Sequence, residues 1–140
     1  PHQEIRLLKW KDFSADLKTI HLSGNKVKSK RNRSVPIPNY VRSLLVRSEP
    51  DKNIFSDKIK PYNNDYFKTL FRRFKQLNPK INKGITLYSF RHSAALNIFK
   101  RTGSLTKLQK AMGHSSLKVS LTYLRGLEVA ELTEEDMPML

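Results

Sequence analysis

Apolar residues recur along this chain in two rhythms, and the rhythm changes wherever proline, glycine or asparagine interrupts it. The string Glu4-Ile5-Arg6-Leu7-Leu8-Lys9-Trp10 sets apolar residues at helical spacing and predicts an amphipathic helix with no capping residue before it. Because the chain also starts at Pro1 rather than methionine, it is expected to be cut from something longer. Alternation follows. Residues 17–22 and 33–37 read as strands joined by a Lys/Arg-rich span, which makes a basic β-hairpin whose second strand is confined to an edge, or ended, by Pro36 and Pro38.

Residues 40–47 read as a short helix broken at Pro50-Asp51. Past Asn63 or Asn64, either of which can cap, Tyr66, Phe67, Leu70, Phe71, Phe74 and Leu77 fall at helical spacing and are expected in the core. Lys68, Arg72, Arg73 and Lys75 fall largely on the opposite side. Thr86 can cap the next helix, with Leu87, Phe90, Ala94, Ile98 and Phe99 as its buried stripe up to Gly103. Two short helices, 105–112 and 117–124, are divided by Gly113. The expected class is α+β, a mostly helical domain with a small antiparallel sheet near its N-terminus, over residues 1–126, followed by a tail over 127–140.

With 38% apolar residues in 140, one hydrophobic core is affordable. Cysteine is absent, which removes disulfides and thiolate metal sites, and no apolar run or signal pattern points to a membrane; a cytoplasmic protein is expected. Charge changes the picture more. There are 27 Lys+Arg against 12 Asp+Glu, a net charge of +15, which favours a polyanionic partner. The last basic residue is Arg125, and Glu128, Glu131, Glu134, Glu135 and Asp136 follow it, so the body faces an anion and the tail does not. Charge alone also suits a solvated basic surface and names no activity.

Three strings in the second half of the chain carry chemistry: Arg91-His92-Ser93, then Gly113-His114-Ser115, then Tyr123 nine residues beyond His114. Taken singly, Arg91 reads as a surface ion-pair partner, His114 as a helix-end cap and Tyr123 as a half-buried phenol. Together, in this order and spacing and in a basic chain, they resemble the tyrosine recombinases, or phage integrases, and the resemblance to their C-terminal catalytic domain runs from about Glu4 to Tyr123.

The resemblance implies that Tyr123 displaces a 5′ oxygen from a DNA phosphate and leaves a reversible 3′-phosphotyrosyl link, with no metal and no other cofactor. Arg91 corresponds to the family's second arginine, a permanently charged fork on the phosphate, and His114 to the histidine that donates a hydrogen bond there. A hairpin lysine protonates the leaving oxygen in this family, eight residues before the proline of an Arg-x-Val-Pro string, which is Lys28 here. Lys30 is second choice; it, Lys26, Arg31 and Arg33 read as DNA contacts. His92 reads as a packing residue.

Two positions depart from the family. Where a histidine usually stands three residues before Arg91, this chain has Tyr88, which can bond the phosphate but is a poorer base near neutrality, or else packs in the core. The family's first arginine, held by the acid matching Glu4, falls at or before Pro1, and Arg6 lies off the pattern, so the isolated chain is expected to cleave poorly. The resemblance implies double-stranded DNA as partner, a homotetramer on two duplexes, and a tail that docks between protomers. Its rival is a DNA-binding module of the same fold with impaired chemistry. A metal-dependent nuclease would need clustered carboxylates, and the acids before Glu128 are scattered.

Overall fold

A computed structural model describes residues 2–24, 32–127 and 131–138. Helix α1 (His2–Arg6) is shorter than its sequence pattern suggests. The reason is that Leu8, Trp10 and Phe13 are all buried in one core with Ile37, which a straight helix cannot do with residues 8 and 10. The chain instead leaves the helix and makes a 3-10 turn, Trp10–Asp12, closed by the Asp12 carboxylate accepting from the Lys9 backbone N–H at 2.9 Å. Leu17, Ile20, Leu22, Val41, Leu45 and Ile54 pack around this first core.

Strands β1 (Thr19–Leu22) and β2 (Arg33–Pro36) pair antiparallel, with Thr19 opposite Pro36 and Leu22 opposite Arg33. Pro36 stands at the end of β2, where its missing N–H costs least. The Asn32 side chain accepts from the Gly24 backbone at 2.7 Å and closes the base of the hairpin. Helix α2 (Asn39–Arg42) is a single turn, half the length of its apolar pattern. The segment after it is anchored by a residue with no periodic signal: Asn53, fully buried, donates to the Arg6 carbonyl at 2.6 Å and accepts from the backbones of Phe55 and Ser56.

Helix α3 (Tyr66–Leu77) forms where expected, but its aromatic stripe is not core. Phe67 meets Phe55 edge-on at 4.8 Å and Phe71 meets Phe90 at 5.7 Å, whereas Leu70, Phe74 and Leu77 stay exposed. Periodicity reports a face that seeks cover and does not say that the same chain supplies it.

Helices α4 (Leu87–Thr102), α5 (Leu105–Met112) and α6 (Leu117–Tyr123) pack around a second core of Ala95, Leu108 and Met112, joined by Ile98, Phe99, Tyr123 and Leu124. The Thr86 hydroxyl caps α4 by accepting from Tyr88 N–H at 3.2 Å, and Ser104 caps α5 from Lys107 N–H. The buried face of α4 is turned one position from the expected stripe: Ala95 is wholly buried while Ala94 and Phe90 are exposed. Adjacent pairs such as Ala94-Ala95 and Ile98-Phe99 leave helical phase ambiguous in sequence. The class is α+β, as expected. No helix among the described residues is long and apolar enough to cross a membrane.

Candidate active site

The second core also orders the chemistry. One turn of α4 separates Tyr88 from Arg91, so both side chains leave the same helix face. Arg91 is half-buried, and its Nη2 donates to the Met112 carbonyl at 2.6 Å, at the end of α5. That bond fixes the guanidinium over the start of the next turn. Gly113 ends α5 in the left-handed region, φ +67°, and lets the chain reverse so that His114 points back toward α6.

Helix α6 then brings Tyr123 across both. Arg91 Nε donates to the Tyr123 hydroxyl at 3.3 Å, and the hydroxyls of Tyr88 and Tyr123 are hydrogen-bonded to each other. His114 lies against the Tyr123 ring, with centroids 4.7 Å apart, and His92 stacks on it from another side at 5.8 Å. Glu4, Tyr88, Arg91, Gly113, His114 and Tyr123 line one open cleft of about 680 Å³.

His114 exposes only 9% of its surface. Its Nδ1 sits 2.9 Å from the Ser120 hydroxyl, which is itself fully buried, and its Nε2 is buried without any partner. Burial, then the charges of Arg91 and Arg33, push the imidazole pKa below its usual value, so the ring is neutral near pH 7. Tyr88 moves the other way. Its hydrogen bond with Tyr123 and then partial burial raise the phenol pKa, and the nearby Arg91 offsets this only in part. Tyr88 is 58% exposed, which excludes a role as a core filler. Among the described residues no three His, Asp or Glu side chains gather as a metal site.

The sequence matches the phage integrase family over residues 2–128, nearly its whole length. The chain belongs to the phage integrase family. Solved structures with the same fold include the XerH site-specific recombinase bound to its difH substrate in a pre-cleavage complex, at 21% identity and TM-score 0.66, covering 89% of this chain and 38% of that one. The Tn1549 transposon integrase in complex with a circular intermediate DNA is similar at 18% identity and TM-score 0.65, covering 96% of this chain and 51% of that one. This chain thus spans about half or less of the structures it resembles. No curated protein sequence matches it.

For this integrase-family chain, the residues picked from sequence divide into three groups. Arg91, His114, Tyr88 and Tyr123 are brought together in the cleft. Lys26, Lys28, Lys30 and Arg31 lie outside the described residues. Arg33, read from sequence as a DNA contact, is turned inward: its guanidinium pairs with Glu4 at 3.0 Å, both side chains are only 11% exposed, and its tip lies against Gly113. Alternation placed Arg33 on one side of β2, and that side faces α1 and α5 rather than solvent. Arg6 likewise turns away, donating to the Tyr62 carbonyl at 2.7 Å.

Sequence reasoning passed over two features. Ser120 sits one helical turn before Tyr123, a spacing that places it on the same face and could have flagged it. Beside the cleft, a groove of about 660 Å³ runs between α3 and the start of α4, with Lys68 and Arg72 on its wall and Tyr88 shared by groove and cleft. Lys75 also lines it, but its ammonium is bound to the Lys83 and Ile85 carbonyls.

Proposed function

We propose that the protein cleaves and rejoins double-stranded DNA by transesterification at one phosphodiester, with Tyr123 as nucleophile. The observation that carries this reading is the convergence of the Tyr123 hydroxyl with Arg91 Nε and the Tyr88 hydroxyl, beside the unpartnered Nε2 of His114. In the step, the Tyr123 oxygen attacks phosphorus, the bond from phosphorus to the 5′ oxygen breaks, and a 3′-phosphotyrosyl link forms. The phenol proton passes to water, and Lys28 gives a proton to the departing 5′ oxygen. Attack by the 5′ hydroxyl of another strand reverses the step and joins new partners.

Arg91 meets the extra negative charge on the non-bridging oxygens with a guanidinium that never loses its proton, and His114 adds a hydrogen bond beside it. Tyr88, which keeps its proton, acts as a hydrogen-bond donor to the Tyr123 oxygen rather than as a base. Lys68 and Arg72 extend the positive surface along the neighbouring groove, where flanking phosphates lie. Four protomers assemble on two duplexes, each tail docking on a neighbour.

The test is a nicked DNA duplex from which the freed strand end diffuses away, trapping the adduct in the complete protein. A covalent complex is expected at Tyr123, and Tyr123→Phe abolishes it while DNA affinity stays within about twofold, because affinity comes from many phosphate contacts. DNA binding with no adduct would instead identify a DNA-binding module of impaired chemistry.

A further inference from the structure

We infer that Ser120 is a positioning residue whose hydroxyl donates to His114 Nδ1, holding the imidazole so that Nε2 carries the proton and faces the cleft as a hydrogen-bond donor. The inference deepens the proposed function and rests on it for the role of the cleft. It starts from two buried groups that must share one proton sensibly. The Ser120 hydroxyl is fully buried, and its partner is His114 Nδ1 at 2.9 Å. Other hydroxyls on these helices bond the carbonyl one turn back, as Thr122 does to Lys118 and Thr102 to Ile98. Ser120 has no such bond among the described residues, so its proton has one place to go, the Nδ1 lone pair.

A neutral imidazole has one donor and one acceptor nitrogen. With Nδ1 accepting, Nε2 must be the N–H, and that is the buried atom left without a partner in a residue that lines the cleft. The opposite tautomer would strand the Ser120 proton in a fully buried site and leave a bare lone pair where an anionic oxygen is to be bound. It would also let His114 take the Tyr123 proton. Ser120 therefore separates two roles for this histidine and selects the donor.

The surroundings of the ring support a neutral donor. Arg91 on α4 and Arg33 on β2 both face it, Tyr123 on α6 covers its face, Glu4 on α1 is paired with Arg33, and Lys107 and Lys110 on α5 line the groove on its far side. Cations outnumber the single acid, so a second proton on the ring is disfavoured.

The ring can be read without DNA, by 15N NMR of its nitrogens in the complete protein, so a failure here is distinct from a failure to form the phosphotyrosyl adduct. Near pH 7.5, well above the ordinary imidazole pKa of about 6.5, wild type should show an unprotonated Nδ1 and a protonated Nε2. Ser120→Ala should raise the His114 pKa by roughly half a unit or more, since the lost bond favours the neutral ring, and Ser120→Thr should restore it. In the adduct assay Ser120→Ala should slow attack roughly tenfold with DNA affinity within about twofold, and Ser120→Thr should recover the rate. A protonated Nδ1 in wild type overturns the inference, as does a pKa that falls or stays put in Ser120→Ala. A rate loss that threonine does not rescue overturns it too. Should Ser120→Ala fail to fold, the wild-type tautomer alone decides.

Discussion

With its phenol pKa raised by Tyr123 and partial burial, Tyr88 has no means of taking the Tyr123 proton near neutrality. Cleavage should therefore gain from a base at this position. Tyr88→His is expected to raise the adduct-forming rate several-fold near pH 7 and to carry its pH optimum downward, since an imidazole of pKa about 6.5 is unprotonated there. Burst rates of the two proteins between about pH 5.5 and 9.5 check this, and superimposed profiles would show that Tyr88 does not limit proton removal. Two glycines make a second test. A Cβ on Gly103, φ +61°, meets nothing, so Gly103→Ala should cost only the left-handed penalty of about 1 kcal/mol. On Gly113 the Cβ would stand 1.9 Å from Arg33 Nη1, a tip that cannot swing aside without breaking its buried pair with Glu4, so Gly113→Ala should cost about 3 kcal/mol or more by urea unfolding. In an Arg33→Ala background the excess should vanish; if it persists, the clash is not its cause. The convergence of Arg91, His114 and Tyr123 in one cleft was legible in sequence because their motifs keep a fixed order and spacing. The inward turn of Arg33 was not, because a pairing across 29 residues leaves no mark on local periodicity.

At the scale of elements, the Glu4–Arg33 pair couples α1 to the hairpin, and Arg33 in turn rests on the turn that carries His114. Neutralising one partner of a nearly buried pair leaves the other charge stranded. Glu4→Gln should destabilise the protein by roughly 3 kcal/mol and slow adduct formation, while adding Glu4→Gln to Arg33→Ala should cost little more, a non-additivity that a double-mutant cycle measures directly. Equal, additive losses would mean that the two side chains act separately. Helices α5 and α6 matched their sequence boundaries closely because glycine and serine punctuate them, whereas α1 and α2 fell short of theirs. Helix α1 runs into backbone tied by long-range bonds, Trp10 N–H to the Lys52 carbonyl and the Asn53 side chain to the Arg6 carbonyl, and tertiary hydrogen bonds of that kind outweigh propensity in a short helix. The stripe of α3 shows the same limit from the other side: its period was right, yet among the described residues Leu70, Phe74 and Leu77 are left uncovered.

At the scale of the molecule, an exposed apolar stripe and an acidic tail pose one question together. Leu70, Phe74 and Leu77 stand open on α3, a helix that also carries Lys68, Arg72, Arg73 and Lys75. The described tail, residues 131–138, is exposed throughout, and its side-chain hydrogen bonds stay within itself, between Thr133 and Asp136. It holds Leu132 and Met137 in the open among Glu131, Glu134, Glu135 and Asp136. Apolar anchors framed by acids complement an apolar stripe framed by bases, and the same acids keep the tail off DNA. Its root lies a few residues past Tyr123, so docking on a neighbour would couple assembly to the placement of Tyr123. Deleting residues 128–140 from the complete protein should leave DNA affinity within about twofold while strand exchange and higher-order complexes fall at least tenfold. Leu70→Ser with Leu77→Ser should reproduce the deletion, and combining the two should add little, because both remove one contact. Exchange and assembly at the intact rate after deletion would rule out docking. A deletion phenotype that the α3 variant fails to reproduce would move the acceptor to another face of the neighbouring protomer.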